Sequence, residues 1–281
     1  MIRVAPSSGA LHGTGMKHAS SIDILHSAYT VVTDDRYLDN MEGCWEPATA
    51  RILESMAYGT VLDVGANIGM TTLLHSQLAD EVHAFEPSPT TFSLLEENVA
   101  AAACENVTLH NFGLGQAAGT FELTYSSDNR SGAYVSDKVK ASEGHMVETI
   151  RIETLDKFVQ AGGARSVDVI KIDVEGFELN VLRGGAATLA RHRPAVVLEM
   201  NHWCLNAFQR ISIPDFLDVL LETFPIVLAV HEDHHLDVRS PSNRYVIMHQ
   251  HILHFWYQTL VCAFHPSQVE RLMVGFPHGR R

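Results

Sequence analysis

The segment Asp63 to Gly69, Asp-Val-Gly-Ala-Asn-Ile-Gly, places a carboxylate beside two glycines directly after a short apolar run. Because glycine has no side chain, such a loop lets the backbone approach a ligand closely. Asn67 stands where the dinucleotide fingerprint G-x-G-x-x-G has its middle glycine, and asparagine tolerates the left-handed conformation of a tight turn. A carboxylate at Asp63 would repel a pyrophosphate and attract a cation. The loop therefore favours S-adenosylmethionine, with its ammonium and positive sulfur, over NAD.

Glu86 ends the next predicted strand, about 20 residues after the loop. A carboxylate at this place can accept hydrogen bonds from both hydroxyls of a ribose. The alternative is an ordinary strand–turn–helix with a surface glutamate. The loop, Glu86 and the strand order together favour a nucleoside cofactor.

A second acidic group follows two further buried strands. Asp173, Glu175 and Glu178 come after one strand and Glu199 after the next. Ligands of open parallel sheets bind outside the carboxyl ends of the strands, so Asp173 and Glu199 should face the same crevice as Gly65. Glu178 could instead be a first-turn acid that favours the helix dipole.

Transfer of a methyl group from such a cofactor to a neutral hydroxyl would require a group that removes the proton. The candidates are Asp173, Glu199, His202 at the end of a strand, and His145 on a polar insertion. A solvated or core histidine remains the alternative for both histidines. Asp173 and Glu199 could also hold Mg²⁺ through oxygen ligands. The histidine-rich segment 231–235 lacks zinc-like spacing and is interpreted as a solvated loop lining the acceptor pocket.

Apolar β-like runs alternate with helical patterns, which predicts an α/β fold with a mostly parallel sheet covered by helices on both faces. The predicted strands span 61–64, 82–85, 107–110, 167–172, 195–200, 226–230 and 244–248, and the predicted helices span 68–78, 91–103, 178–190 and 213–223. A small β insertion is expected at about 115–152, with strands at 120–125 and 146–152. In the tail, Leu253, Trp256, Leu260 and Phe264 form a helical stripe that would pack on its own core or complete a homodimer.

Composition restricts the class of partner. The 281 residues contain 20 Lys plus Arg and 33 Asp plus Glu, so the formal charge is 20 − 33 = −13, which disfavours sequence-independent nucleic-acid binding. No run approaches the ~18 apolar residues that span a membrane. The four cysteines are scattered, which predicts a reduced, cytoplasmic protein. We expect a mobile segment at 1–21, a catalytic domain at 22–250 and a helical tail at 251–281.

Taken together, these motifs resemble the FkbM-type S-adenosylmethionine-dependent methyltransferases. The resemblance covers about residues 45–248, and its most specific part is Asp-Val-Glu-Gly-Phe-Glu at 173–178. It implies a Rossmann-like class I methyltransferase sheet of about seven strands and O-methylation of a small hydroxylated acceptor, such as a sugar or a polyketide intermediate of secondary metabolism. The 17 histidines are not family features.

The resemblance also implies a set of cofactor-binding residues. The loop would hold the methionine part, Glu86 the ribose, and Asn111 and Phe112 would lie near the adenine, while the segment 45–47 would help to close the pocket. The full set is Glu46, Asp63, Gly65, Ala66, Asn67, Gly69, Glu86, Pro87, Asn111, Phe112 and Asp173. The rival hypotheses are an NAD-dependent oxidoreductase and a non-catalytic interaction module that keeps the cofactor fold.

Overall fold

The computed structural model describes residues 17–41, 43–126 and 128–279. Most of the segment expected to be mobile, residues 1–16, lies outside the described residues. Its last part, residues 18–21, belongs to the first strand of a hairpin.

The strands are β1 (His18–Ile24), β2 (Ser27–Thr33), β3 (Thr60–Val64), β4 (Glu81–Phe85), β5 (Val107–His110), β6 (Gly113–Leu114), β7 (Gly119–Ser126), β8 (Asn129–Val135), β9 (His145–Glu153), β10 (Val169–Ile172), β11 (Ala195–Glu199), β12 (Ile226–His231), β13 (His234–Asp237) and β14 (Thr259–Ala263). The helices are α1 (Pro47–Met56), α2 (Met70–Ser76), α3 (Pro89–Ala101), α4 (Leu155–Gln160), α5 (Glu178–Gly184), α6 (Ala186–His192), α7 (His202–Cys204), α8 (Ile213–Thr223), α9 (Pro241–His254) and α10 (Glu270–Gly275).

The central sheet has the order β13-β12-β14-β11-β10-β3-β4-β5. Strands β3, β4, β5, β10 and β11 are parallel, and β14 runs antiparallel to both of its neighbours. Every residue of β3 and β10 is buried, as expected for parallel strands that are covered on both faces. The predicted Rossmann-like class I methyltransferase sheet is confirmed, with β13 added at its edge.

Helices pack on both faces of this sheet and form two apolar cores. Leu53 of α1, Leu73 of α2 and Leu95 of α3 belong to one core. Leu182 of α5 and Phe216 of α8 belong to the other. The sheet is therefore held from both sides, and its C-terminal edge, where the parallel strands end, is free to form a site.

Two predicted elements of the C-terminal part are wrong. Residues 244–248 lie in the helix α9, which begins at Pro241 after the cap Ser240, whose hydroxyl accepts from the Asn243 amide. The helical tail predicted at 251–281 is interrupted by β14, which lies inside the central sheet. A short apolar run is compatible with either a strand or a buried helix. Residues 259–263 form a strand because they hydrogen-bond to β11 and β12.

The predicted insertion forms its own sheet, with the order β6-β9-β7-β8. Its strands β7 and β9 confirm the two strands expected there. Strand β8, inside the segment interpreted as a polar loop, was missed because Gly and Ser are weak strand formers. Leu123, Ile150 and Ile152 form the small apolar core of the insertion sheet.

None of the helices in the described ranges combines the length and apolar character that crossing a membrane requires. All four cysteines carry free thiols.

Candidate functional site

A cavity of about 470 Å³ opens at the C-terminal edge of β3, β4, β10 and β11, partly covered by the insertion sheet. Eight of the predicted site residues line it. They are Glu46, Gly65, Ala66, Asn67, Glu86, Pro87, Asp173 and Glu199. The sheet therefore brings the two acidic groups and the glycine loop to one place.

The glycine loop between β3 and α2 is shaped by left-handed residues. Gly65 has φ +81°, and a Cβ atom there would lie 1.8 Å from the backbone oxygen of Asp173. Asn67 has φ 50°, the conformation expected from its place in the loop, and Gly69 has φ 105° at the start of α2. Only glycine allows the loops after β3 and β10 to approach this closely.

Glu86 is fixed by the glycine loop and by the turn after β4. Its Oε2 accepts from the Asn67 amide at 3.0 Å and its Oε1 from the Ser88 amide at 2.8 Å. Burial raises the pKa of Glu86 to about 7, although these two hydrogen bonds oppose the rise. Each carboxylate oxygen retains a lone pair for a further donor from the cavity.

Asn111 and Phe112 brace the wall near Glu86. The side-chain Nδ2 of Asn111 donates to the backbone oxygen of Glu86 at 3.0 Å. The ring of Phe112 packs edge-on against Phe85, 5.5 Å between centroids, and carries the guanidinium of Arg151 at 4.7 Å. Both residues thus hold cavity-lining neighbours in place.

Asp63 lies beneath the loop, fully buried, rather than at the surface of the cavity. Its carboxylate accepts from the hydroxyls of Thr71 and Thr72 and lies 3.3 Å from Lys171 Nζ. Burial alone would raise the pKa of Asp63, but Lys171 and the other partners outweigh it and lower the pKa. Asp63 is therefore a buried anchor of the loop.

Lys171 is a site residue that the sequence reasoning missed. It lies on β10, lines the cavity and donates to the backbone oxygen of Gly65 at 2.8 Å. Burial lowers its pKa, but Asp63 and Asp173 outweigh this effect and raise the pKa overall. The available signal was a single lysine within an otherwise apolar strand run.

Three carboxylates converge at the far end of the cavity. Oxygen atoms of Asp173, Glu175 and Glu199 lie within 4.8 Å of one another. Burial and the charge of Asp173 raise the pKa of Glu175 to about 7. Burial and the neighbouring carboxylates raise the pKa of Glu199 well above its usual value. Carboxyl groups this close cannot all ionise at neutral pH, so the cluster holds protons.

The backbone at this cluster has unusual geometry. Glu175 has φ 52°, a left-handed conformation for a residue with a side chain, and Gly176 follows with φ 95°. Glu178 stabilises the turn, because its Oε1 accepts from the amides of Val174 and Gly176. The Cys204 thiol donates to Glu175 Oε2 at 3.0 Å. Strained backbone of this kind concentrates at functional sites.

The two histidine candidates lie away from the cavity lining. The His202 ring packs against His251 and Phe255, with ring centroids at 5.0 and 4.6 Å. His145 is the first residue of β9, and its Nδ1 lies 3.3 Å from the Ser142 hydroxyl. The carboxylates are therefore the proton acceptors that the cavity itself offers.

The insertion is fastened over the cavity by an ion pair that the sequence did not indicate. Arg130 of β8 lines the cavity and meets Asp34 with two hydrogen bonds, Nε to Oδ1 at 3.0 Å and Nη2 to Oδ2 at 2.9 Å. The two side chains are 10% and 7% exposed. The Arg130 amide also donates to Asp35. Such paired contacts hold the insertion sheet against the segment after β2.

Comparison with known proteins identifies related sequences. A family model described as the methyltransferase FkbM domain matches residues 63–234. The hexuronic acid methyltransferase AglP of Haloferax volcanii is 38% identical over 134 residues, covering 47% of this chain and 53% of the relative. Methyltransferase 1 of Beauveria bassiana is 31% identical over 142 residues, covering 44% and 57%.

Among solved structures, the methyltransferase FkbM of Methylobacillus flagellatus is similar with a TM-score of 0.45 and 17% identity. That alignment covers 72% of this chain and 43% of the solved chain. The chain spans little more than half the length of these two curated relatives.

Proposed function

The chain belongs to the FkbM methyltransferase family, and we propose that it transfers the methyl group of S-adenosylmethionine to a hydroxyl oxygen of a small acceptor. The observation that carries this proposal is that the glycine loop, Glu86 and the carboxylate cluster line one and the same cavity. The relatives are methyltransferases by name, which does not favour an NAD-dependent oxidoreductase. The open cavity also argues against a module that has filled its site with its own side chains.

The donors and acceptors of the cavity fit this cofactor. Glu86 would accept hydrogen bonds from the two ribose hydroxyls, since each of its carboxylate oxygens has a lone pair left. The backbone of Gly65 to Asn67 and the half-exposed carboxylate of Asp173 would hold the cationic methionine part. S-adenosylmethionine, when bound, supplies an electrophilic methyl group on a positive sulfur. Asp63 and Lys171 would act indirectly, by fixing the loop.

The other end of the cavity would receive the acceptor. A neutral hydroxyl is a weak nucleophile, so a group would have to take its proton as the methyl–sulfur bond breaks and the new C–O bond forms. Glu199 and Asp173 line this end, and their shared cluster with Glu175 contains carboxyls with raised pKa values. We propose that the cluster accepts the proton through Glu199, in molecules in which this carboxyl is ionised, with Asp173 positioned beside it.

A role for Mg²⁺ has no support from the comparisons, and the carboxylate base does not require one. The name of the AglP relative supports a sugar-derived acceptor. A polyketide or another hydroxylated natural product remains the other acceptor class proposed from the sequence.

Two measurements test the proposed function. Calorimetry with S-adenosylhomocysteine should show binding in the micromolar range, and a panel of hydroxylated acceptors with methyl-labelled S-adenosylmethionine should give labelled product. Absence of binding at high micromolar concentration would overturn the cofactor assignment. Labelled product that carries the methyl group on nitrogen or carbon would overturn the O-methyl assignment.

A further inference from the structure

An exposed aromatic stack lies beside the acceptor end of the cavity. The indole of Trp256 stacks on the imidazole of His231, with 4.7 Å between ring centroids and 18° between ring planes. Trp256 is still 42% exposed, although His231 covers one face and the His254 ring lies 5.5 Å away, tilted by 41°. A large ring that is held flat and remains accessible to water is available to stack on a ligand.

The backbone around Trp256 holds this ring in place at a conformational cost. Its neighbours Phe255 and Tyr257 both adopt left-handed conformations, with φ 57° and 58°. The Trp256 backbone oxygen accepts from His251 Nδ1 at 2.7 Å, and the Tyr257 hydroxyl meets His234 Nε2 at 2.9 Å. Two strained aromatic residues in one short turn persist only where the surroundings enforce them, and such turns concentrate at ligand sites.

The stack lies at the same edge of the sheet as the carboxylate cluster. Gln258 and Thr259, which follow the turn, line the cavity. Thr259 pairs with Glu199 of β11 on one side and with Val230 of β12, which precedes His231, on the other. The Gln258 backbone oxygen accepts from the Met200 amide. The Trp256–His231 stack therefore lies at the edge of the sheet that also carries Glu199, next to the cavity-lining residues Gln258 and Thr259.

The acceptor end thus joins an apolar flat surface to hydrogen-bonding groups. A wholly apolar acceptor would leave Glu199, Gln258 and Thr259 without partners in a desolvated site, which is unfavourable. A pyranose ring combines an apolar C–H face with a hydroxyl edge and matches both parts. An acidic sugar would bring a further carboxylate beside Asp173, Glu175 and Glu199, and like charges at such distances repel.

We infer that the acceptor is a neutral or amine-bearing pyranoside whose C–H face stacks on Trp256 and whose hydroxyl edge meets Glu199 and Gln258. This inference rests on the proposed function and narrows its acceptor class. It separates this chain from a relative whose name specifies a hexuronic acid.

The test compares acceptors of different charge and protein variants at Trp256. Methyl β-D-glucopyranoside, methyl β-D-glucosaminide, methyl β-D-glucuronide and 1-decanol are offered with methyl-labelled S-adenosylmethionine. Binding of each glycoside to the complex with S-adenosylhomocysteine is followed by saturation-transfer NMR. The variants are Trp256→Leu, which keeps apolar area without an aromatic face, and Trp256→Phe, which keeps a ring. Tyr245→Leu, at a 68% exposed aromatic residue on α9, is the matched control.

We expect the neutral or amino glycoside to bind and react better than the glucuronide. In Trp256→Leu the Kd or KM for the preferred glycoside should rise roughly tenfold, because one aromatic contact is lost. The affinity for S-adenosylhomocysteine should not change. Trp256→Phe should recover most of this loss, and Tyr245→Leu should have no effect. Preference for the glucuronide or for decanol, an unchanged Kd in Trp256→Leu, or no binding of any pyranoside would overturn the inference. Each of these results leaves the proposed function standing if S-adenosylhomocysteine still binds.

Discussion

The ammonium of Lys171 and the carboxylate of Asp63 form a buried ion pair, 3.3 Å apart, directly beneath the glycine loop. Their side chains are 8% and 0% exposed. Lys171 also donates to the backbone oxygen of Gly65, so one side chain fixes both the carboxylate and the loop. Asp63, expected from the sequence to contact the cofactor, is thus better suited to positioning the residues that do.

Removing the cation should strongly destabilise the fold. Lys171→Met leaves Asp63 charged and unpaired, which we expect to lower the free energy of unfolding by about 3–5 kcal/mol in urea denaturation. The control is Lys17→Met, which removes an exposed pair with Glu97 and should cost less than about 1 kcal/mol. A Lys171→Met protein as stable as the wild type would show that the pair has no such role.

Adding one methyl group to the loop should disrupt cofactor binding. In Gly65→Ala the new Cβ meets the Asp173 backbone oxygen, and the left-handed φ disfavours alanine as well. We expect affinity for S-adenosylhomocysteine to fall at least about tenfold in calorimetry. Gly132→Ala, where a Cβ meets nothing within 4 Å, should keep the wild-type affinity. Equal affinities in the two variants would contradict the proposed place of the loop.

Cofactor affinity should depend on pH through Glu86. Its pKa is raised to about 7 by burial, so the ionised form that accepts ribose hydroxyls predominates only above that pH. S-adenosylhomocysteine affinity should therefore rise from pH 6 to 8, by up to about tenfold per pH unit below 7. Glu86→Gln should bind weakly and lose most of this dependence. Glu97→Gln, on the exposed face of α3, should keep the wild-type profile, and a flat wild-type profile would argue against Glu86.

Turnover should depend on Glu199 and not on a metal ion. Glu199→Gln cannot accept the hydroxyl proton, and we expect kcat to fall by about 10²–10⁴-fold while S-adenosylhomocysteine affinity holds. His145→Ala should keep kcat within about twofold, because His145 does not line the cavity. Addition of EDTA should leave kcat unchanged. Loss of activity on chelation, restored by Mg²⁺, would favour the metal alternative.

Stability should fall as the pH rises, in part because of Glu178. Burial raises its pKa to about 8 from an ordinary value near 4.5, so the folded state binds the proton more tightly than the unfolded state. Its contribution to stability is present at pH 4 and is lost as the pH rises to 8. In Glu178→Gln the slope of unfolding free energy against pH should be smaller by up to about 1.4 kcal/mol per unit. The exposed Glu270→Gln should retain the wild-type slope.

The sequence predicted the parts of the fold that local pattern determines. Strands such as β3 and β10 are short, apolar runs between glycine-rich turns, and their pairing in a parallel sheet follows from the alternation with helices. Residues 253–264 carry apolar side chains at helical spacing, but Phe255 turns left-handed and ends α9, and residues 259–263 form β14, which pairs with β11 and β12. Tertiary hydrogen bonding, which a local pattern does not contain, overrides the spacing.

The residues of the candidate site could likewise be predicted only in part from the sequence. The side chains that adjoin a recognisable motif, such as Glu86 and Asp173, were found because strand ends locate them. Arg130 and Tyr37 line the cavity from segments distant in sequence, and only the folded chain brings them there. The burial of Asp63 also required the structure, because a carboxylate at a strand end can point towards the cavity or beneath the loop.

The place of β14 has a consequence for the order in which the chain can fold. This strand lies between β11 and β12 in the sheet, yet it follows both of them, and α9, in sequence. During synthesis on the ribosome, the parallel part from β3 to β11 can assemble first. The hairpin of β12 and β13 has no edge to join until residues 259–263 have emerged. A chain interrupted before that point would expose the edge of β11, an unpaired strand of the kind that promotes aggregation.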